Sequence, residues 1–545
     1  MECSVKFGGA AGQGLLSLEI ALMDALARLR YHFFATKNYM SRIRGGHNFH
    51  MIRIADRPVH ALSGKAWEIV VALDEEAQRR HKPGAAENGI YLSPVDMAEL
   101  TKVAGEDFGD PQSVNTIVIG IVLSVIGCSS ERAMAAAAEA LRPEVLKKGL
   151  EIAEKRSFVG RFPVNPRAGV GETYRFDGNQ ALAYGAILGG CQFMAGYPMT
   201  PATSIMNYFS RAALEMPLHF EQAEDEIGAV NMALGASYAG VRSMVATSGG
   251  GFSLMAEGLS LAGMTETPIV IIVAQRPGPS TGLPTRTEQG DVNFLVHAGQ
   301  GEFPRVVYAP GSIGEAISLA RKAFELADTC QIPLLILTDQ YFADSVQVVE
   351  EAIPATPSSR LHVPFDASYR RYALAHGGIS PLTCPGLGGA LVKVDSDEHD
   401  EEGLITEDLD LRKRMVKKRM GKREHIERLS EPPVLTGDPK AETVLVSWGS
   451  NRMIAAEAVQ KLVAQGKRIC CLHFGQVYPL YERMVAPFSL RNKRVLCLEN
   501  NATGQFAGLL KRELGIEADR LLLKYNGECF TVAEICGMVL EGGEK

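Results

Sequence analysis

No CxxC pair occurs anywhere in the 545 residues, although the chain has ten cysteines. An iron–sulfur cluster needs a close set of thiolates, so a cluster carried wholly by this chain is not expected. The cysteines are scattered without disulfide-like spacing, and no secretory leader is recognisable. Both features point to a reducing, cytoplasmic setting. Long apolar runs are also missing: the longest are broken by turns or polar residues, which argues against a membrane span. The P-loop pattern G-x-x-x-x-G-K-[ST] is absent. A basic surplus is absent too, since the formal net charge is -7, and a nucleic-acid scaffold is disfavoured. One basic run, Arg412 to Arg423, stands among acidic residues and reads as a solvated helix.

What is present is glycine and apolar mass. The 55 glycines suit repeated strand-to-helix turns, and 46% hydrophobic residues suffice for several cores. The first section opens with the strand CSVKFGG, a glycine turn and the helix LLSLEIALMDALARL. IVVAL (69–73) and VNTIVIGIVLSVIG (114–127) read as further strands, and the domain is expected to end near 160, followed by a linker at 161–173. A second α/β section runs from 174 to 350. It comprises the small-residue helix GNQALAYGAILGG and the strands VRSMVATSGG, TPIVIIVAQRPG and IPLLILTDQ. Periodicity weakens over 351–439, which is expected to wrap other parts of the chain. A third α/β section occupies 440–545. No internal repeat is evident. The fold class is multidomain α/β, with ligands expected beyond the carboxyl ends of the strands.

Several loops carry possible chemistry. FGGAAGQG (7–14) exposes backbone N–H groups after a strand, as a phosphate or subunit contact would need. It only approximates G-x-G-x-x-G. Arg42 and Arg44 in SRIRGGHN suit an anion or a neighbouring chain. In EQAEDEIGAVNMALGASYAG, Glu224, Asp225 and Glu226 precede a helix of small residues. They read either as a capping cluster or as a source of one carboxylate aimed at a nitrogen heterocycle. ATSGGGFSLMAEG repeats the strand, hydroxyl and glycine form around Ser248. AQRPGPSTGLPTRTEQGD places Arg276 at the end of an apolar strand, where its planar fork suits a carboxylate or a structural ion pair. GYPMTPAT (196–203) holds one threonine between two prolines. The acidic tract Asp395 to Glu402 reads as an exposed loop rather than a metal site, and no metal site is expected on this chain.

Together, GYPMTPAT, EDEIGAVNMALGASYAG, ATSGGGFSLMAEG and QRPGPSTGLPT resemble the pyrimidine-side domain of the 2-oxoacid:ferredoxin oxidoreductases. GGAAGQG with SRIRGG resembles that family's gamma domain, fused here at the N-terminus. WGS, ENNATGQFAGLL and KYNGECF resemble the transketolase-type C-terminal domain of its alpha subunit. The resemblance implies a thiamine-diphosphate enzyme that oxidatively decarboxylates 2-oxoacids to acyl-CoA. It also implies roles: Thr200, held by Pro198 and Pro201, touches the substrate; Arg276 grips the 1-carboxylate; Glu226 bonds the aminopyrimidine N1′, with Glu224 as the fallback. Tyr197, Pro198 and Ser248 are implied around the cofactor. The family's GDG motif for the magnesium diphosphate is missing, as are electron-transfer cysteines. Mg2+ and a [4Fe-4S] cluster are therefore expected on a separate beta subunit, with coenzyme A and ferredoxin as further partners and a dimer of alpha–beta pairs as the assembly. The fused arrangement is most similar to 2-oxoglutarate oxidoreductases, with Arg286 as the donor to a distal carboxylate. Pairing of Arg286 with Glu288 or a partner residue is the alternative, as are a pyruvate or branched-chain substrate and a non-catalytic subunit of the same fold.

Overall fold

In the computed structural model, which describes residues 1–41, 46–136, 141–167, 174–349, 358, 360 and 363–541, the apolar runs form three sheets. The reading of Arg42 and Arg44 lies outside the described residues. The chain divides into two compact units. One is Met1–Phe176 with Asp344–Glu351 and Thr531–Glu534, and the rest forms the other.

The first unit is built on the strand Glu2–Ala10, paired antiparallel with His47–Ala55 and parallel with Trp67–Ala72. Its sheet runs in the order Ala85–Leu92, Trp67–Ala72, Glu2–Ala10, His47–Ala55, His32–Asn38, Val346–Val349, Tyr174–Asp177. The glycine turn after Ala10 uses left-handed backbone at Gly12 and Gly14 (φ 92° and 82°) before the helix Leu15–Arg28. That turn borders a cavity of about 860 Å³ that also touches Met97 and Asn115. Residues 114–127, read from sequence as a strand, are instead the helix Val114–Val125, buried on nearly every side. An unbroken apolar run does not distinguish a buried strand from a buried helix. Contact with the helix Pro143–Lys155 favours the helix. A Cβ on Gly120 would fall 2.5 Å from the Leu146 carbonyl oxygen, so the glycines let two helices touch there.

In the second unit, IVIIVAQ forms the strand Ile269–Gln275, buried throughout and flanked by parallel neighbours Ser243–Thr247 and Pro333–Asp339. Continuous apolar composition is what a parallel sheet covered on both faces requires. The sheet order is Gln476–Tyr478, Val306–Tyr308, Pro333–Asp339, Ile269–Gln275, Ser243–Thr247, Phe193–Gly196, His219–Gln222. A five-stranded sheet follows, in the order Val434–Thr436, Ile469–Phe474, Thr443–Trp448, Arg494–Glu499, Arg520–Leu523. One core joins the two sheets, with Val245, Val273 and Leu337 meeting Val446, Trp448 and Phe474. The strand Gln476–Tyr478 crosses over to pair antiparallel with Val306–Tyr308. The fully buried Gln289 ties the sheets further. Its Nε2 donates to the Trp448 carbonyl (3.0 Å), and its Oε1 accepts from Asn451 Nδ2 (2.8 Å) and the Asn500 amide (3.0 Å).

The charged helix of the basic run differs from its sequence reading. It spans Leu409–Gly421, but Lys418, Arg419 and the following Lys422 are buried. Lys418 and Lys422 each place Nζ 2.6 Å from the carboxylate of Glu266, which is itself buried at a left-handed position (φ 49°). Glu398 and His399 of the acidic tract are likewise not exposed. Glu398 takes two bonds from Arg419 (2.8 and 2.9 Å) and one from Arg412, while His399 packs against Tyr372 with the ring centroids 4.1 Å apart and the rings tilted by 50°. A residue-by-residue reading treats these runs as mutually repelling charge, whereas Lys418, Lys422, Arg419 and Glu398 are each paired with a residue distant in sequence. Among the described residues no helix is long and apolar enough to cross a membrane.

Candidate active site

The site forms where strands end. The strand Phe193–Gly196 runs out into Tyr197-Pro198-Met199-Thr200-Pro201, with the Thr200–Pro201 peptide cis. Asn179, fully buried on the preceding helix Gly178–Leu188, donates to the Pro201 carbonyl (2.8 Å) and to Ser204 Oγ (2.7 Å). Asp177 caps that helix by accepting from the Gln180 amide (2.7 Å). The Asp-Gly-Asn segment thus serves to anchor the proline loop.

The strand Ile269–Gln275 ends directly before Arg276. Its half-buried guanidinium donates Nη1 to the Thr200 carbonyl (2.7 Å), so the two residues meet. Burial lowers the Arg276 pKa below the usual guanidinium value, and among the described residues no carboxylate pairs with it. A desolvated cation bonded to one neutral carbonyl retains most of its donors for a ligand. Ser248, fully buried, donates Oγ to Met199 Sδ (2.6 Å), linking the second glycine loop to the first.

The three neighbouring carboxylates separate cleanly. Glu224 is exposed. Asp225 is the N-cap, accepting from the Gly228 amide (2.7 Å). Glu226 is 3% exposed, and its Oε1 is buried with no hydrogen-bond partner among the described residues. Beside it, Thr247 Oγ1 is also buried and unpartnered. The gap between them is kept by Gly251, where a Cβ would lie 2.7 Å from Glu226 Oε1 and 2.0 Å from Thr247 Oγ1. Buried polar atoms without partners are rare, so this pair of acceptors facing a glycine marks a place for a donor.

Tyr197 and Pro198 are exposed on the loop. Arg286 is half-buried, its amide donating to the Leu283 carbonyl (3.1 Å) and its side chain passing Gly527. Sequence reasoning overlooked Gln275 and Asp291. The Gln275 Oε1 accepts from the Asp291 amide (2.9 Å), and its Nε2 is buried without a partner among the described residues. Asp291 lies against the first glycine of the turn, its Oδ2 2.1 Å from where a Gly249 Cβ would sit. Burial pushes its carboxyl up to about 6. The signal was present in TRTEQGD, where an acidic residue directly follows the loop that carries Arg276.

A parallel sheet with glycine turns at its carboxyl edge, a buried glutamate oxygen and an arginine that have no ionic partner among the described residues are the features of a cofactor-dependent α/β enzyme. Comparison with known proteins gives the family. Residues 184–418 match the family described as pyruvate flavodoxin/ferredoxin oxidoreductase, thiamine diphosphate-binding, and residues 4–156 match pyruvate ferredoxin/flavodoxin oxidoreductase. A 2-oxoacid:ferredoxin oxidoreductase alpha subunit from a Sulfolobus species is 30% identical, over 100% of this chain and 98% of its own. A 2-oxoglutarate synthase KorA subunit of Methanothermobacter thermautotrophicus is 33% identical, over 68% of this chain and 99% of its own. Among solved structures, a 2-oxoglutarate:ferredoxin oxidoreductase from Magnetococcus marinus, with 2-oxoglutarate, coenzyme A and succinyl-CoA bound, superposes at TM-score 0.89. It shares 27% identity and covers 99% of both chains. The chain belongs to the 2-oxoacid:ferredoxin oxidoreductase family, as an alpha-type subunit. Its multidomain α/β fold combines a pyrimidine-side domain with a transketolase-like C-terminal domain.

Proposed function

We propose that this chain, with a beta subunit, converts 2-oxoglutarate, coenzyme A and oxidised ferredoxin to succinyl-CoA, CO2 and reduced ferredoxin. The observation that carries the reading is the unpartnered buried Oε1 of Glu226 opposite Gly251. An acceptor held dry in that way fits the ring nitrogen of the thiamine diphosphate pyrimidine. When bound, this cofactor supplies an acidic carbon and the electron sink for decarboxylation. Glu226 would hold a proton at that ring nitrogen. Arg276 would bind the 1-carboxylate, and the loop from Tyr197 to Pro201 would bring Thr200 to the substrate. Ser248 would hold that loop through Met199. The diphosphate with Mg2+, and the [4Fe-4S] cluster that passes electrons to ferredoxin, are assigned to the beta subunit. Dimers of alpha–beta pairs in a cytoplasmic setting complete the reading. The accompanying organisation is a gamma-like domain to about 160, a pyrimidine-side domain to about 350, a connecting segment and a C-terminal domain from about 440.

A dicarboxylate needs a second cation, and Arg286 is assigned to the distal carboxylate. Relatives named only for 2-oxoacids align over the whole chain, so pyruvate or a branched 2-oxoacid is the second reading. The test is kcat/KM of the reconstituted enzyme for 2-oxoglutarate, pyruvate and branched 2-oxoacids with coenzyme A and ferredoxin. The expected order places 2-oxoglutarate first, with Arg286→Ala losing that preference selectively. Equal losses for mono- and dicarboxylates would remove Arg286 from the specificity role.

A further inference from the structure

The helix Leu409–Gly421 carries two kinds of cation. One stripe (Lys418, Arg419 and the adjoining Lys422) is buried and committed to Glu266 and Glu398. Arg414 and Lys417, one turn apart, point elsewhere. Both are exposed, and among the described residues neither has an ion-pair partner. They line a cavity of about 380 Å³ together with His376, Gly377, Gly378 and Lys418.

The cavity is formed by a close approach that only glycine permits. Gly377 and Gly378 are both left-handed (φ 72° and 77°). A Cβ on Gly377 would fall 2.4 Å from His425 Nε2, and one on Gly378 would fall 2.0 Å from the Lys418 carbonyl oxygen. The loop is therefore pressed onto the helix, and its backbone forms one wall opposite the two free cations. Glu424 is the one acidic side chain on the lining among the described residues. Two like charges three residues apart on a helix repel by a few tenths of a kcal/mol. In a chain of net charge -7 this local surplus persists with no carboxylate in an ion pair with either cation among the described residues.

We propose that this cavity is a binding site for a small diphosphate-class anion, distinct from the Glu226–Arg276 site. Arg414 supplies a planar fork for phosphoryl oxygens, and Lys417 supplies a point charge beside it. The volume lies in the range of small-molecule sites, roughly 300–1,000 Å³. Free diphosphate and the diphosphate of a nucleotide share this chemistry.

The test uses the reconstituted enzyme saturated with thiamine diphosphate and coenzyme A, so that its other phosphate sites are filled. Calorimetric titrations with inorganic pyrophosphate, ADP and citrate are compared for the parent and R414A/K417A. The expected result is saturable pyrophosphate binding that weakens by about tenfold or more in the double variant, with citrate weaker than either phosphate ligand. Tighter binding of ADP than of pyrophosphate identifies a nucleotide as the source, and equal binding identifies free diphosphate. Oxoacid turnover without added anion should be unchanged by the substitutions. Lysine acetylation followed by mass spectrometry on the unaltered protein gives a readout that needs no variant: pyrophosphate should protect Lys417 but not the exposed Lys413. Equal affinity in parent and variant, binding only at tens of millimolar, or binding of long polyanions without pyrophosphate would each overturn the proposal. None of these outcomes bears on the thiamine reading, which is tested separately at Glu226.

Discussion

Two regions of the second unit bury charge to a similar extent and handle it in opposite ways. Around Glu266 every buried charge is answered: Lys418 and Lys422 hold its carboxylate, and Arg371 donates to the Glu266 carbonyl oxygen (2.7 Å) and to Gln331 Oε1 (2.8 Å). Burial alone would raise the Glu266 carboxyl, but the two lysines outweigh it and hold the group well below the usual range. Around Glu226 the groups are left unanswered. Its Oε1, Thr247 Oγ1 and Gln275 Nε2 have no partners among the described residues, and Arg276 bonds one carbonyl. Desolvation costs free energy in both places, and only in the first does the chain itself offset it. Saturated buried charge marks architecture here, and unsaturated buried charge is what the proposed site is read from.

The largest effects should come from the unsaturated region, on activity and not on folding. Arg276→Ala should lower kcat/KM for the oxoacid by about 2–5 kcal/mol, because a desolvated carboxylate loses its charged partner. Glu226→Gln should slow exchange of the cofactor's C2 proton in the assembled enzyme. Both variants should unfold close to the parent temperature. A C2 exchange rate at parental level in Glu226→Gln would assign the wrong glutamate.

The saturated region should invert that pattern. Glu266→Gln leaves two buried ammonium groups facing a neutral amide, and breaking such a pair costs about 3–5 kcal/mol. Denaturant unfolding followed by fluorescence should move to lower concentration. Below the unfolding transition, kcat/KM should stay near the parent value. A variant of unchanged stability would mean that the 409–422 segment is held by its apolar contacts alone, Met415 among them.

Much of this contrast was legible in the sequence and part of it was not. The glycine turns and the strands that end in them were readable, because parallel strands are continuously apolar and their loops are punctuated by Gly and Pro. Helix 114–125 was not, since a run buried on all sides loses the 3.6-residue period. The separation of Asp225 from Glu226 needed the helix start to one residue, which periodicity does not supply. The burial of Lys418, Lys422 and Glu398 was hidden for another reason. Their partners are remote in the chain: Glu266 lies 152 residues before Lys418. Charge runs are read locally, and here the neutralisation is tertiary.

Asp291 tests the boundary between the two regions. It is half-buried beside the proposed site, yet its carboxylate has no cationic partner among the described residues, and burial pushes its carboxyl up to about 6 while also raising the neighbouring Glu288. A folded value above the unfolded 3.9 means that the native state favours the proton. The associated stability is complete below about pH 4 and is lost as pH rises through about 6, a difference of roughly 1–3 kcal/mol. Asp291→Asn should therefore stabilise the protein at pH 7.5 and change it little at pH 3.5. A melting-temperature difference independent of pH would show that Asp291 is ionised throughout.

The smallest expected effect sharpens the assignment within the EDE triplet itself. Asp225 accepts from the Gly228 amide at the start of the helix Glu226–Tyr238, which is ordinary capping and needs no ligand. Asp225→Ala should cost about 1 kcal/mol of stability, whereas Asp225→Ser, which restores an acceptor, should recover most of it. Turnover should follow stability in both variants, because the cap only sets where the helix begins. Glu226 depends on that start for its aim toward Gly251, so fraying would show first as weaker thiamine diphosphate retention at elevated temperature. If Asp225→Ala instead abolished C2 proton exchange at a temperature where the fold is intact, the roles of the cap and of the carboxylate proposed to face the cofactor would have been exchanged. The unpaired Oε1 of Glu226 would then need another explanation.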